Sequence, residues 1–318
     1  MLLESDLSLR LADVALPPRT RGDVRVRTEW TGLCGSDLHV LATGAWVSSW
    51  PAQLGHEVVG VVGESDDPAF PVGTRVVPDS RLPCRDCPDC ARSVRFCRNL
   101  TWLGESRPGG YGAEFDVPGS SLARVPATLP AELAVLAEPL AVVQRALDEV
   151  PAARSVLLLG YGPIGALLHA ELGRRSPNAT IAVAEPQSER HAAAIAGGAT
   201  ADDPAAEYDL VIDAAGFAGS VAIAFSRVRR GGAVLVVAIG PAPIGIPAQD
   251  LVEKGVRLVG SVGFEDGDLE RALTSLDGDQ DRFARVVTHR VDLADFPDFL
   301  ARIREEQPLK VIVRGGAA

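Results

Sequence analysis

The sequence feature that most constrains the fold is a glycine-rich turn between a short apolar run and a helical pattern. The run SVLLLG, which ends at Gly160, is continuously apolar, as expected for a strand buried on both faces. In GYGPIG, Gly160 permits a tight turn, Gly162 lets the backbone approach a pyrophosphate, and Gly165 lets helix and strand pack closely. The helix that begins at Pro163 and Ile164 offers unpaired N–H groups to phosphates. This context predicts a dinucleotide site, and the alternative is the same strand–turn–helix without a ligand.

The residue that ends the next predicted strand bears on which dinucleotide binds. Glu185 ends ATIAVAE, twenty-five residues after Gly160. A carboxylate there accepts hydrogen bonds from ribose hydroxyls and repels a 2′-phosphate, which favours NAD over NADP. Arg190 lies nearby in the sequence and offers a cation to a phosphate, so that NADP stays open.

Strand and helix patterns alternate from Ser155 onward and predict a doubly wound parallel sheet. Residues 1 to about 130 instead show short β-type runs cut by Gly and Pro, for example EVVGVVGE. The predicted fold class is therefore α/β. We expect a β-rich domain over residues 1–150, completed by residues 270–318, and a dinucleotide-binding domain over residues 151–269.

Charge and composition narrow the class of partner. The 318 residues carry 31 Lys and Arg against 42 Asp and Glu, a net charge of −11, which opposes binding to nucleic acid or to anionic membrane surfaces. No apolar run approaches the ~18 residues of a membrane span, and the N-terminus does not resemble a signal peptide. We therefore expect a cytoplasmic protein without nucleic-acid or membrane partners, in which the five cysteines stay reduced.

Four of those cysteines lie in one short segment, PCRDCPDCARSVRFC. The order Cys84, Cys87, Cys90, Cys97 gives a dense thiolate spacing that is typical of a structural zinc site. Four thiolates would close a tetrahedron around the ion and hold a loop that has little core of its own. Reactive or disulfide-bonded cysteines and an iron–sulfur cluster are the alternatives.

The fifth cysteine belongs to a second candidate metal site. Cys34 in TGLCGSDLHV, with His56 and Glu57 in QLGHEVVG, makes a mixed set of thiolate, imidazole and carboxylate that suits Zn²⁺. Three protein ligands leave one position for water or substrate, which defines a catalytic site. Taken singly, each residue has a simpler explanation, as a packed cysteine or a hydrogen-bonded histidine.

The motifs CGSDLH, GHEVVG, the four-cysteine segment, AEPLAV and the glycine motif, in this order, resemble those of the zinc-dependent medium-chain alcohol/polyol dehydrogenases. The sorbitol and threonine dehydrogenase branch is the most similar. The resemblance implies a GroES-like catalytic domain, a Rossmann NAD-binding domain, and a catalytic zinc at Cys34, His56 and Glu57. Glu138 in AEPLAV matches the family's variable fourth ligand. The Cys90–Cys97 spacing is one residue shorter than is usual in the family, and the chain is shorter than most relatives by some tens of residues.

The resemblance also implies catalytic roles. Zinc would lower the pKa of the substrate hydroxyl, and the substrate carbon would give hydride to the nicotinamide. Ser36 resembles the family's proton-relay hydroxyl, and His39 resembles its terminal acid/base. Asp37 would fix the tautomer of His56 beside the catalytic carboxylate Glu57. Loop capping is the alternative for Ser36 and Asp37, and a solvent-facing position is the alternative for His39.

The leading hypothesis is a zinc-dependent, NAD-linked oxidoreductase of a secondary alcohol, with a polyol, sugar or aminocyclitol-like substrate. A zinc-linked carbonyl reductase using NADPH and a non-catalytic NAD(H)-binding protein of the same fold are the alternatives. The partner would be a small-molecule alcohol or ketone. The segment RLVGSVG resembles the family's subunit-pairing edge, so that a homodimer or homotetramer is expected. Candidates to line the substrate pocket are Trp46, Trp50, Trp102 and Tyr111.

Overall fold

The computed structural model describes residues 1–16, 18–240 and 243–316. The chain forms two compact units. The first unit comprises Met1–Ala141, Glu265–Glu306 and Lys310–Ala318, and the second comprises Val142–Phe264 and Gln307–Leu309. Within the described ranges, no helix combines the length and the apolar character needed to cross a membrane.

The strands are numbered in chain order. They are β1 (Leu2–Leu3), β2 (Leu9–Arg10), β3 (Asp23–Gly32), β4 (Glu57–Glu64), β5 (Arg75–Pro78), β6 (Arg81–Leu82), β7 (Thr101–Trp102), β8 (Glu114–Pro118), β9 (Leu122–Arg124), β10 (Ser155–Leu159), β11 (Thr180–Ala184), β12 (Thr200–Ala201), β13 (Tyr208–Asp213), β14 (Val228–Val236), β15 (Arg257–Gly260), β16 (Val287–Asp292) and β17 (Lys310–Arg314). The α-helices are α1 (Gly35–Thr43), α2 (Ala131–Ala134), α3 (Ala137–Asp148), α4 (Pro163–Arg175), α5 (Ser188–Ala196), α6 (Ser220–Arg227), α7 (Ala248–Lys254), α8 (Asp268–Gly278), α9 (Gln280–Ala284) and α10 (Phe296–Glu306).

The first unit is built on a seven-stranded sheet in the order β16-β17-β3-β4-β5-β9, with β8 also paired to β3. Strand β3 alternates as a half-buried strand should: Val24 and Val26 are fully buried, and Arg25 between them donates from Nε to Asp116 of β8 at 2.9 Å. The valines pack against a core cluster that includes Phe115. The sheet therefore has one apolar face, and β3 lies at its centre.

The second unit is a six-stranded parallel sheet in the order β12-β11-β10-β13-β14-β15. Strand β10 lies inside the sheet, and Val156, Leu157 and Leu158 are fully buried. A continuous apolar run is what such a strand needs, because both of its faces are covered. The predicted α/β fold class, with a β-rich part and a doubly wound parallel sheet, is confirmed.

Helix α1 is absent from the expectations above, because GSDLHVLAT has little apolar periodicity. Its boundaries are set by local caps. The Asp37 carboxylate accepts the Cys34 N–H at 3.0 Å at the start, and Gly44 ends the helix with φ of 68°. The caps at its two ends therefore define this helix. It carries Ser36, Asp37 and His39 on one short segment.

One aspartate joins the starts of three strands in the second unit. Asp209 of β13 accepts the Arg229 Nε–H at 2.6 Å on Oδ1 and the N–H groups of Arg154 and Ser155 at 2.8 and 3.0 Å on Oδ2. These contacts, led by Arg229, outweigh burial and lower the pKa of Asp209 to about 2.

We expect Asp209→Asn to destabilise the protein in a pH-dependent way. Because the folded pKa of about 2 lies below the ordinary value of 3.8, the carboxylate stabilises the fold above pH 3.8, and this contribution is lost as pH falls towards 2. Urea unfolding followed by circular dichroism should show a loss of about 1–2 kcal/mol at pH 7, after allowance for solvent screening, and a smaller loss at pH 3. Asp13→Asn, at an exposed aspartate, is the control and should change neither value. A destabilisation that is the same at both pH values would contradict the assignment.

Candidate metal and cofactor sites

The pairing of two strands brings Cys34, His56 and Glu57 together. Strand β3 ends at Gly32 and β4 begins at Glu57, and these two residues are direct partners in the antiparallel register. Cys34 follows as the N-cap of α1, and His56 immediately precedes Glu57. The ligand atoms of the three residues consequently lie within 4.8 Å of one another. The set of sulfur, nitrogen and oxygen donors fits zinc with one position left open.

The His56 ring has a polar neighbour at each nitrogen. Nδ1 lies 3.4 Å from Asp37 Oδ1, and Nε2 lies 3.4 Å from Ser36 Oγ. Burial alone lowers the pKa of His56, but the charges of Asp37 and Cys34 outweigh it and raise this pKa well above its ordinary value. The site therefore attracts positive charge, and a metal ion would take the place of the proton, since imidazole ligates in its neutral form.

Glu57 shares its site with a fully buried lysine. Lys310 Nζ contacts Glu57 Oε2 and donates a hydrogen bond to the Leu33 carbonyl at 2.9 Å. A Cβ on Gly32 would overlap Glu57 Oε2 and would lie 2.9 Å from Lys310 Cε. Glycine at the end of β3 is thus what makes room for this ion pair.

Glu138, the predicted fourth ligand, lies near the other three but has its own partner. Ser80 Oγ donates to Glu138 Oε1 at 2.8 Å. Burial raises the pKa of Glu138 to about 7, with His56 opposing the rise and Glu57 adding to it. Glu138 is outside the group of three whose ligand atoms lie within 4.8 Å of one another, so that its ligation of zinc stays a prediction.

Asp37 connects the segments that carry Cys34 and His56. Its Oδ2 accepts the Cys34 N–H at 3.0 Å and the Tyr111 O–H at 3.1 Å, while Oδ1 faces His56. Burial raises the pKa of Asp37, but His56 and these hydrogen bonds outweigh it and hold the pKa below its usual value. Burial also raises the pKa of Tyr111, so that the phenol remains a donor. The carboxylate is in contact with the ring nitrogen whose tautomer it is predicted to fix.

Ser36 and His39 lie on the same helix with different neighbours. Ser36 faces His56, as given above, whereas His39 is exposed and lies against Trp46 with ring centroids 4.8 Å apart. Trp46 and Trp50 are 50% and 39% exposed. The predicted proton relay from Ser36 to His39 stays a prediction.

The four-cysteine segment forms a compact sulfur cluster in the first unit. The sulfurs of Cys84 and Cys97, and of Cys87 and Cys90, lie 3.5 Å apart, and the 84–90 and 87–97 pairs lie 4.0 Å apart. All four lie within 4.8 Å of one another. Zinc–sulfur bonds of about 2.3 Å require about 3.8 Å between the sulfurs of a tetrahedron, so that the cluster fits zinc with the spacing that this chain has.

The cluster also shows a split in thiol acidity. Hydrogen bonding from the Cys90 backbone lowers the pKa of Cys87 to about 6, and burial raises the pKa of Cys90 to about 12.

Ion pairs fix the outside of the loop: Arg85 binds both oxygens of Asp266 at 2.8 and 3.0 Å, and Arg95 contacts Glu265 at 2.9 Å.

The glycine motif lies at the carboxyl end of β10 in the second unit. Gly160 adopts a φ of 91°, and Gly162 is the N-cap of α4, with Pro163 and then Ile164 in its first turn. A Cβ on Gly165 would overlap the Gly160 carbonyl oxygen, which agrees with the close packing expected of this position. The helix N-terminus therefore has the geometry that suits a pyrophosphate.

Glu185 and Arg190 both lie beside this turn. Glu185 Oε2 accepts the Tyr161 N–H at 2.7 Å, and Oε1 accepts the Gln187 N–H at 2.9 Å. Arg190 Nε donates to the Pro308 carbonyl at 3.1 Å, and burial lowers the pKa of Arg190. The carboxylate is thus fixed at the end of β11 by two backbone donors.

Sequence reasoning missed two residues of the first site, Lys310 and Ser80, and did not predict the contact of Tyr111 with Asp37. Lys310 stands in an otherwise apolar strand run, LKVIV, and this isolated charge was the available signal. Ser80 gave no signal. Tyr111 was expected to line a pocket, whereas it is 1% exposed and packs against Phe296 with ring centroids 5.0 Å apart.

Comparisons with known proteins identify the family. Residues 20–127 match the alcohol dehydrogenase GroES-like domain. D-altritol 5-dehydrogenase of Agrobacterium fabrum is 32% identical over 90% of this chain and 89% of the relative, and L-threonine 3-dehydrogenase of Aeromonas hydrophila is 25% identical over 98% and 97%. The crystal structure of a candidate zinc-binding dehydrogenase from Sinorhizobium meliloti 1021, bound to NADP, superposes with a TM-score of 0.90 at 28% identity and covers 98% of both chains. The chain therefore belongs to the zinc-dependent medium-chain alcohol/polyol dehydrogenase family.

Proposed function

We propose that this chain is an NAD-linked zinc dehydrogenase that transfers hydride between a secondary alcohol and the cofactor. The observation that carries the proposal is the grouping of Cys34, His56 and Glu57 within 4.8 Å, a donor set that leaves zinc one open position. The substrate would be a polyol, sugar or aminocyclitol-like molecule. The names of the two relatives, an altritol and a threonine dehydrogenase, support a polar secondary alcohol.

Zinc held by Cys34, His56 and Glu57 would supply the Lewis acidity that lowers the pKa of a substrate hydroxyl. The chain's own part is to orient the ligands. Asp37 contacts His56 Nδ1 and so directs Nε2 towards the ligand position. Lys310 offsets the charge of Glu57, and both side chains are buried.

The proton of the substrate hydroxyl needs a way out of the buried site. Ser36 is placed beside His56 Nε2, where its hydroxyl would pass the proton on. His39 is exposed at the next turn of the helix and would release it to solvent. The four-cysteine cluster would hold a second zinc ion, whose role is to stabilise its loop.

The second unit would bind the dinucleotide at the N-terminus of α4, and the dinucleotide would supply the hydride acceptor. Glu185 favours NAD, because its carboxylate suits ribose hydroxyls and repels a 2′-phosphate. The relative from Sinorhizobium meliloti binds NADP. Arg190, a guanidinium nitrogen of which would lie 3.7 Å from a Cβ on Gly162, is the residue that would admit NADP here.

The charges around the first site bear on the substrate. Asp37, Glu57 and Glu138 are buried there, and Glu105 is half-buried within electrostatic range of His56 and Asp37. Lys310 and zinc would offset the charge of Glu57, and the remaining charge of Glu105 would favour neutral or amino-substituted alcohols over anionic ones.

We propose that β15 pairs with its counterpart in a second copy of the chain. It is the edge strand of the parallel sheet, and it carries Leu258, which is 38% exposed; Val262, two residues beyond the strand, is 51% exposed. An exposed apolar edge is a template for pairing with another strand.

The five cysteines are free, which favours a reducing compartment such as the cytoplasm.

The proposed catalytic zinc is tested by Cys34→Ser. Wild-type protein purified without chelator should contain about two zinc ions per chain, one for each donor set. The variant should lose one zinc and nearly all NAD⁺-dependent oxidation of polyols, with NADH affinity, measured by fluorescence, unchanged within about twofold. Cys84→Ser is the matched control: it should also lose one zinc, and thermal stability with it, but the folded fraction should keep turnover. Full turnover in Cys34→Ser would refute the proposed function.

Cofactor choice is tested at Glu185. Wild-type kcat/KM should be higher with NAD⁺ than with NADP⁺. Glu185→Gln should lower the ratio of kcat/KM with NAD⁺ to kcat/KM with NADP⁺ by about tenfold, because the repulsion of a 2′-phosphate is removed. Glu185→Asp keeps the charge and should keep most of the preference. A ratio that does not change in Glu185→Gln would show that this carboxylate does not select the cofactor.

The proposed subunit contact is tested by Leu258→Glu. Sedimentation velocity should show wild-type protein as a dimer or larger, and the variant should shift towards one chain, because a charge is buried at the paired edge. Val72→Glu, at an apolar residue that is 62% exposed in the first unit, is the control and should leave the oligomer intact. If Leu258→Glu and wild type sediment equally, subunit pairing through β15 is ruled out.

A further inference from the structure

We infer that Tyr111 is a positioning residue that retains the catalytic zinc by fixing Asp37, an inference that rests on the zinc site proposed above. The phenolic O–H of Tyr111 lies 3.1 Å from Asp37 Oδ2 and 3.2 Å from the Gly32 carbonyl oxygen. A charged carboxylate is the stronger acceptor of the two. The hydroxyl thus contacts the helix that carries Ser36 and the strand that leads to Cys34 at the same time.

Asp37 has three donors, and each comes from a different segment. The Cys34 N–H lies 3.0 Å from Oδ2, the His56 Nδ1 lies 3.4 Å from Oδ1, and the Tyr111 O–H completes the set. Two of the three donors belong to residues that would bind zinc. A carboxylate held by all three fixes the relative position of the thiolate and the imidazole, and loss of one donor loosens both.

The backbone of Tyr111 is held as firmly as its hydroxyl. Its N–H donates to the Leu54 carbonyl at 2.9 Å, and the Gly110 N–H donates to the Gly55 carbonyl at 2.8 Å. Thr31 Oγ1 donates to the Gly110 carbonyl at 2.8 Å. The residue therefore lies on a rigid element next to the segment that delivers His56, so that its hydroxyl has little freedom to leave Asp37.

The chain offers a substitution that removes this one contact. Tyr111 is 1% exposed and its ring packs against Phe296, with centroids 5.0 Å apart. Tyr111→Phe keeps the ring and its packing and removes only the oxygen. Tyr208→Phe is a matched control, because the Tyr208 O–H also donates to a carboxylate, Asp202 Oδ1, at 2.9 Å, but in the second unit.

The test is the rate at which zinc leaves the holoprotein. Purified protein is mixed with excess pyridine-2,6-dicarboxylate, and zinc release is followed by atomic absorption after rapid gel filtration. The phase that belongs to the first site is the one that Cys34→Ser lacks. Tyr111→Phe should release this zinc about 10–100-fold faster than wild type, whereas the zinc of the four-cysteine cluster should leave at the wild-type rate and Tyr208→Phe should not differ from wild type.

A second measurement separates positioning from plain stability. Tyr111→Phe in an Asp37→Asn background should add little to the release rate, because both changes act through one carboxylate. An unchanged release rate in Tyr111→Phe overturns the inference, even if its melting temperature falls. If wild type shows no zinc phase that Cys34→Ser removes, the proposed zinc site itself fails, and the inference fails with it.

Discussion

The candidate catalytic centre depends on one backbone register, the pairing of Gly32 with Glu57 across β3 and β4. On its other edge, β3 pairs with β17, where Gly32 is the partner of Ile312. Lys310 lies two residues before Ile312 on β17 and so comes close to the same end of β3. The Leu33 N–H donates to the Val311 carbonyl at 2.9 Å and continues this pairing towards Cys34. A slip by one residue would turn every side chain of β3 to the other face and would separate the donors. The buried valines of β3 hold that register, so that the apolar core fixes the polar site.

Motifs that are local in the sequence were predictable, and contacts between distant segments were not. The turn at Gly160 and the four-cysteine cluster each lie within a short stretch, and the spacing of their residues alone restricts what they can form. Lys310 follows Leu33 by 277 residues, and nothing near either residue points to the other. Tyr111 looked like a pocket aromatic, because its only visible property was its type; its hydrogen bond to Asp37 follows from the pairing of two loops.

The two candidate metal sites are held together by different means. The sulfurs of the four-cysteine loop come from one segment that contains little regular structure, so that a bound ion would join its interior while ion pairs hold its outside. The donors of the first site come from a helix cap and a strand end that are already fixed by caps, register and buried hydrogen bonds. The first site is therefore pre-organised, as an open position for a reacting group requires. The four-cysteine site needs only to surround its ion with four sulfurs.

The buried charges of the first site make most sense with a divalent cation present. Asp37, Glu57 and Glu138 are 3%, 1% and 6% exposed, and the fully buried Lys310 contacts Glu57. Taking so many carboxylates out of water is costly unless positive charge compensates them. Burial raises the pKa of Glu138, and the charges of Asp37 and Cys34 outweigh burial and raise the pKa of His56, so that both groups hold a proton more strongly than usual. A dication held by Cys34, His56 and Glu57 would replace the proton of His56, and its charge would stabilise the carboxylates that lie around it.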